Sequence, residues 1–295
     1  MLNNWLRFVL IQLRAIFFIL FPKAVVAIEF RRNAGYWPNL KNPQTFNEKL
    51  TWLKLYWRDP LAVTCADKYA VRDFVAERSD VNILNQMFGV FDKVEDIDFD
   101  QLPDRFVLKI THGCGYNIFC KSKSDFDWEE AKRRLSKWQE TNYSSYSLEW
   151  VYKDIKPKII CEKYIETKDD KPPRDYKVFC FNGEPKMLFV ASDRIGDKTK
   201  FDFYTCNWER IPVKNHYPNN PEQIERPREL EELLRYSRKL SHGFPHVRVD
   251  YYIESGKIIF GEMTFFHFSG NQPFEPFEYD LEFGKYLTLF PRNLE

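Results

Sequence analysis

The sequence predicts an α+β fold with a mostly antiparallel C-terminal sheet, and three observations carry that reading. Apolar, β-branched and aromatic runs come in consecutive pairs joined by short turns, as in "DYKVFCFNGEPKMLFVASD" and "VRVDYYIESGKIIFGEMT". Amphipathic helical segments stand between these hairpins rather than after each single strand. The 295 residues are 44% hydrophobic and include 27 Phe, 16 Tyr and 8 Trp, enough to fill a large core.

Each element has a local reason. In "NPQTFNEKLTWLKLY", Thr45 and Glu48 form a capping-box pattern ahead of Leu50, Leu53 and Leu55, which predicts a helix. "CADKYAVRDFVAE" predicts another, starting near Asp67. "RFVLKIT" is a strand, "HGCGYN" a glycine-bearing tip and "IFCKSK" the returning strand. "DWEEAKRRLSKWQ" has the periodicity of an amphipathic helix. "KPKIICEKYIE" reads as an apolar strand entering a charged, proline-bearing loop. Next come a hairpin turning at Asn182-Gly183 and a second around "FDFYTCNWER". The helix "PRELEELLRYSRKLS" precedes the last hairpin.

Composition narrows the function. With 29% charged residues and a net charge of +1, the chain is folded and lacks a polyanion-binding surface, so nucleic acid is not an expected partner. The six cysteines, 65, 114, 120, 161, 180 and 206, contain no Cys-x-x-Cys pair and fit reduced thiols of a cytoplasmic protein. His242 and His246 have a ligand-like spacing, but Gly243 and Pro245 break the helix that spacing would need. "WLRFVLIQLRAIFFILFP" is apolar, yet Arg7, Gln12 and Arg14 interrupt it, and Leu6 to Phe21 falls short of the ~20 residues of a spanning helix. Two readings of this segment stand side by side. It is a helix buried against the body, or a peripheral contact through residues 5–22 at the inner face of the membrane.

Four places can carry chemistry. Lys109 closes a strand before "HGCGYN", where glycines would let backbone N–H groups approach phosphate oxygens; an ordinary hairpin tip reads the same way. "CEKYIE" is a buried strand end or a linker offering backbone groups to an adenine edge. Asp250 and Glu262 lie on facing strands and require a partner, since lone buried carboxylates are costly. That partner is Arg248 or a lysine in an ion pair, or Mg²⁺, which takes carboxylate and phosphate oxygens together. "EDIDFD" offers Asp96, Asp98 and Asp100, the spaced acids of a nucleotide-sugar transferase, or a solvated loop.

Taken together, "DKYAVRDFV", "LKITHGCGYNIF", "CEKYIE", "DYKVFCFNGEPK", "HVRVDYY" and "FGEMTFFHFSG" resemble, in order, the TupA-like branch of the ATP-grasp superfamily, associated with teichuronopeptide biosynthesis. The resemblance runs from about "NPQTFNEKL" to "FEPFEYD". It implies an ATP-grasp fold in which two α/β subdomains clasp ATP behind a helical N-terminal extension. The expected divisions are 1–60 for that extension, 61–104 for an N-terminal lobe, 105–165 for the small subdomain and 166–295 for the catalytic subdomain.

The resemblance also implies roles. Lys68 and Lys109 would bind phosphate, and His112, Gly113, Gly115 and Asn117 would belong to a cover over it. Glu162, Lys163, Tyr164 and Ile165 would form the adenine linker, with Asp175 on the ribose and Lys177 on a phosphate. Asp250 and Glu262 would hold Mg²⁺, while Arg248 and Lys109 would act in catalysis. Ser269 and Gly270 would touch the acceptor substrate. One position departs: ATP-grasp sites commonly read Glu-x-Asn, whereas Thr264 follows Glu262 here, which changes the ligand offered to a second metal. The expected activity is Mg·ATP-dependent ligation of a carboxylate to an amine through an acylphosphate. The substrates implied are a uronic acid of a surface polysaccharide, or its precursor, and an amino acid or similar amine. A glycosyltransferase is the alternative.

Overall fold

The computed structural model describes residues 17, 18, 20–167, 171–194 and 198–290. The apolar segment up to residue 16 lies outside them, so its placement against the body or a membrane is not described. Among the described residues no helix is long and apolar enough to cross a membrane.

The chain begins with α1 (Pro22–Ala34), α2 (Phe46–Tyr56), α3 (Pro60–Ala66) and α4 (Val71–Arg78). The capping box forms: Thr45 accepts from the Glu48 N–H, and the Glu48 carboxylate accepts from the Thr45 N–H. The single helix expected over "CADKYAVRDFVAE" is instead two. Asp67 Oδ1 accepts from the backbone N–H groups of Tyr69 and Ala70, a local bond that competes with helix continuation. The break has a use. It lets the Lys68 N–H reach Thr111 O at 3.1 Å, which fixes where the Lys68 side chain starts.

Two main antiparallel sheets follow, besides a two-stranded one. The smaller has order β1-β4-β2-β3, built from β1 (Met87–Phe91), β2 (Phe106–Ile110), β3 (Asn117–Cys120) and β4 (Ile159–Lys163). Between β3 and β4 lie α5 (Trp128–Gln139) and the short α6 (Tyr143–Ser147). Alternation along β2 sends Phe106, Leu108 and Ile110 into a core with Ala131 and Leu135 of α5, leaving Val107 and Lys109 on the other face. Strand β1, inside the span 61–104 that the sequence reading assigned to a separate lobe, pairs with β4 in this sheet.

The larger sheet has order β11-β10-β5-β6-β7-β8. Its strands are β5 (Asp175–Phe181), β6 (Glu184–Ser192), β7 (Lys200–Thr205), β8 (Arg210–Ile211), β10 (His246–Glu254) and β11 (Lys257–Thr264), while β9 (Lys214–Asn215) pairs apart from it with β12 (Phe274–Glu275). The turn between β5 and β6 falls at Asn182 and Gly183, both with positive φ (50° and 84°), as a two-residue hairpin of this twist requires. Helix α7 (Leu230–Ser241) buries Leu230, Leu233 and Leu240 and covers one face, where Ser237 Oγ donates to Tyr251 Oη. The other face looks into a cleft of about 1210 Å³ that the small sheet closes from across.

Candidate active site

Strand register gathers the charges. Asp250 lies opposite Glu262 on β11 and opposite Lys177 on β5; Arg248 lies opposite Thr264, and Tyr252 opposite Asp175. Because strand side chains alternate, all of these share the cleft face. The order along it is fixed: Asp175 and Tyr252 at one end, then Lys177, Asp250 and Glu262, then Arg248 and Thr264, and beyond them the turn 267–270.

Arg248 grips Asp250 with two parallel bonds, Nε to Oδ1 and Nη2 to Oδ2, each 2.7 Å. Lys177 Nζ bonds Asp250 and lies 2.7 Å from Asp175 Oδ2, which also pairs with Arg194 at 3.1 Å. The remaining Arg248 nitrogen, Nη1, donates to His267 Nδ1 at 2.8 Å, and His267 Nε2 donates to Asn215 Oδ1 at 2.9 Å. That tautomer needs a neutral ring. Burial, reinforced by Arg248, holds the His267 pKa well below its ordinary value. Thr264 Oγ1 accepts from Arg248 Nη2 at 3.1 Å, so its oxygen serves the arginine in this state.

Glu262 is the hub. Lys68 Nζ and Arg248 Nη2 each stand 3.7 Å from its carboxylate. Burial pushes its pKa up, but Lys68, Lys177, Arg248 and Lys109 outweigh this and hold it down at about 2. From the small sheet, Lys109 Nζ meets Glu162 at 2.6 Å, and Arg72 holds the other Glu162 oxygen at 3.0 Å. Desolvation presses the Lys109 pKa down, yet Glu162 leaves it raised. Lys68 also donates to Gly113 O at 2.5 Å, tying the glycine tip to the cluster. Gly113 has φ +89°, and a Cβ there would strike the Tyr143 ring at 2.6 Å, so position 113 requires glycine on both counts.

Residues 48–288 match the family model described as TupA-like ATP-grasp. The chain belongs to the TupA-like ATP-grasp family. The fold is therefore ATP-grasp. Among solved structures, D-alanine–D-alanine ligase from Bacillus anthracis complexed with ATP is 16% identical over 75% of this chain and 68% of its own, with a TM-score of 0.43. The ADP complex of purK, N5-carboxyaminoimidazole ribonucleotide synthetase, is 14% identical over 74% and 50%, with a TM-score of 0.44. D-alanine–D-alanine ligase from Helicobacter pylori is 14% identical over 82% and 69%, with a TM-score of 0.45. The chain thus spans between half and about two thirds of the length of these structures. No curated protein matches it.

The residues fit Mg·ATP. Asp250 and Glu262 offer hard carboxylate oxygens, and Mg²⁺ is usually held by one or two carboxylates plus substrate phosphates. Among the described residues no three His, Cys, Asp or Glu side chains gather into a metal cage, and such a site needs none. Lys68, Lys109, Lys177 and Arg248 give the cluster the positive charge a triphosphate requires. At the other end Asp175 Oδ1 is buried without a hydrogen-bond partner, an acceptor suited to a sugar hydroxyl.

The family motifs do not all converge. Lys68, Lys109, Gly115, Asn117, Lys163, Tyr164, Ile165, Asp175, Lys177, Arg248, Asp250, Glu262, Thr264 and Ser269 line the cleft. His112 instead turns into the protein and bonds Thr141 O at 2.8 Å. The Glu162 side chain binds Lys109 and Arg72 rather than facing an adenine. Gly270 is buried, its carbonyl accepting from Thr51 Oγ1. Asp96 and Asp98 accept from nearby backbone N–H groups of the surface turns, and the acids of "EDIDFD" do not line the cleft. His246 is buried against Phe265 O, away from any metal set with His242. Arg72 and His267 belong to the site from within the quoted motifs, though neither is singled out there, while Arg194, Asn215 and Glu149 lie outside every motif; each acts by tertiary contact.

Proposed function

We propose that this protein is a Mg·ATP-dependent carboxylate–amine ligase that forms an amide through an acylphosphate. On this reading it joins an amine, such as an amino acid, to a uronic-acid carboxylate of a surface or capsular polysaccharide or its precursor, in the cytoplasm. Peripheral contact with the inner face of the membrane through residues 5–22 would bring a lipid-carried precursor within reach. The observation that carries the reaction class is the cation cluster around Glu262. Lys68 from the turn after α3, Lys109 from the small sheet and Lys177 from the large one all act on this one carboxylate.

The chemistry follows from what each residue can do. Tyr164 and Ile165 offer apolar contact to a base at the cleft end where Asp175 waits for a ribose hydroxyl. Lys68, Lys109 and Lys177 hold phosphate charge, each already anchored by a carboxylate or a carbonyl, so little reorganisation is needed on binding. Asp250 and Glu262 would hold Mg²⁺, which would supply charge neutralisation at the phosphates. Arg248 stabilises the charge that develops when that carboxylate attacks the γ-phosphate; its position is set by Asp250, Thr264 and His267. Ser269 lies beyond Arg248, on the acceptor side.

Thermal stability with ATP, UDP and UDP-sugars, each with and without Mg²⁺, tests this. A ligand at ~100 times its dissociation constant adds roughly 2.7 kcal/mol, a readily seen shift. ATP is expected to stabilise the protein only with Mg²⁺, and Glu262→Gln to remove the response. Stabilisation by UDP-sugars and not by ATP would replace the ligase with a glycosyltransferase.

A further inference from the structure

Beyond Arg248 the cleft ends at a carboxylate that none of the ATP-directed roles uses. Glu149 comes from the segment after α6, lines the cleft and is only 5% exposed. Among the described residues its carboxylate accepts one hydrogen bond, from Ser269 Oγ at 2.5 Å. Lys54 donates its Nζ to Ser269 O at 2.6 Å, and Arg248 is near enough to act on Glu149 electrostatically. Tyr143 and Tyr152 are also near enough to interact with it electrostatically.

The residue before Glu149 and the turn that carries Ser269 both have left-handed backbone. Leu148, just before Glu149, has φ +59°; Phe268 and Ser269 have φ +43° and +55°. Such conformations persist where surroundings impose them, and they concentrate at ligand sites. Here Thr51 and Lys54 of α2 hold the 267–270 turn in place, each bonding one of its carbonyls. Burial pushes the Glu149 carboxyl up to about 7, against the opposing pull of Ser269, Lys54 and Arg248. A buried carboxylate with one neutral donor is under-neutralised once ionised, and an incoming ammonium would supply the missing charge.

We infer that Glu149, oriented by Ser269, is the amine subsite: it binds the ammonium of the acceptor substrate and takes the proton that must leave before nitrogen can attack. This rests on the ligase reading above. The step balances as follows. The ammonium gives one proton to the Glu149 carboxylate, which becomes a neutral acid. The freed nitrogen lone pair forms an N–C bond to the acylphosphate carbonyl. The C–O bond to phosphorus breaks, phosphate leaves with its electron pair, and the second proton lost by nitrogen passes to it, giving the amide and hydrogen phosphate.

Binding of methylammonium to the full-length protein tests this without knowledge of the natural amine. Titrations with Mg·ADP present compare the wild type, Glu149→Gln and Ser269→Ala, with tetramethylammonium, which cannot donate a hydrogen bond, as control. Expected are saturable methylammonium binding in the millimolar range, at least tenfold weaker in Glu149→Gln, and weakening in the wild type as pH falls below about 7. A merely structural Glu149 would not produce that pH dependence. Equal affinity in wild type and Glu149→Gln, or no wild-type binding at 100 mM, overturns the inference. If Glu149→Gln does not fold, Ser269→Ala decides: unchanged affinity there overturns it as well. Absence of a Mg·ATP response in the wild type would defeat the ligase reading instead, and the methylammonium comparison would still stand by itself.

Discussion

Strand β10 serves two different environments with alternate residues. Val247, Val249 and Tyr251 point under α7 and are wholly buried among apolar groups. Arg248 and Asp250, between them, are nearly as buried but face the cleft as charges. The helix face stabilises the fold by removing apolar surface from water, worth ~25 cal/mol per Å². The cleft face does the reverse: it desolvates charges whose mutual attraction roughly offsets that penalty at best. The cleft charges thus add little to stability, and substitutions on the two faces should separate function from stability.

The largest expected effect is on the cleft face. Asp250→Asn and Glu262→Gln should each lower ATP-dependent turnover by about 100- to 1,000-fold while the protein stays folded, read from ADP release alongside circular dichroism. On the opposite face Leu233→Ala removes a fully buried side chain of α7. It should cost about 2–5 kcal/mol in urea unfolding and leave turnover at low temperature near normal. A Leu233→Ala protein that lost activity while keeping its stability would break the comparison. An intermediate outcome is expected for His267→Ala, which touches no nucleotide but leaves Arg248 Nη1 without its acceptor. Turnover should fall roughly 10- to 100-fold with the KM for ATP unchanged; a matching rise in KM would mean that His267 acts on nucleotide binding instead.

Legibility in the sequence follows the same division. Period-two alternation marked both hairpins of the catalytic sheet, and the capping box at Thr45 marked α2, because those signals are local. The ordered motifs marked Lys68, Lys109, Lys177, Asp250 and Glu262, all of which line the cleft. Strand β1, "MFGVF", lacks alternation and owes its place to pairing with β4. The break at Asp67 came from a side-chain bond that periodicity does not register. Arg72 and His267 lie inside the ordered motifs, but the contacts that place them span 90 and 19 residues of chain; Glu149 lies outside every motif and meets Ser269 across 120 residues.

Within the cleft the comparison sharpens to two glutamates displaced in opposite directions. Glu262, held at about 2, is below its ordinary 4.5; Glu149, pushed up to about 7, is above it. For Glu262 the folded protein sheds its proton more readily than the unfolded chain does. Its contribution to stability is full above pH 4.5 and is lost as pH falls toward 2. Glu149 acts with the other sign: its protonated form favours folding below pH 4.5, and that advantage disappears as pH rises through 7. At ~1.4 kcal/mol per tenfold change each is bounded by about 3 kcal/mol, and for Glu262, 27% exposed at the side chain, solvent screening leaves less. Urea unfolding at pH 5 and pH 8 isolates the second term. Between these values Glu149→Gln should lose less stability than the wild type, by roughly 1–3 kcal/mol, and Glu262→Gln should follow the wild type. Identical pH slopes in wild type and Glu149→Gln would show that Glu149 ionises normally in the cleft, and would remove the electrostatic reason for it to attract an amine.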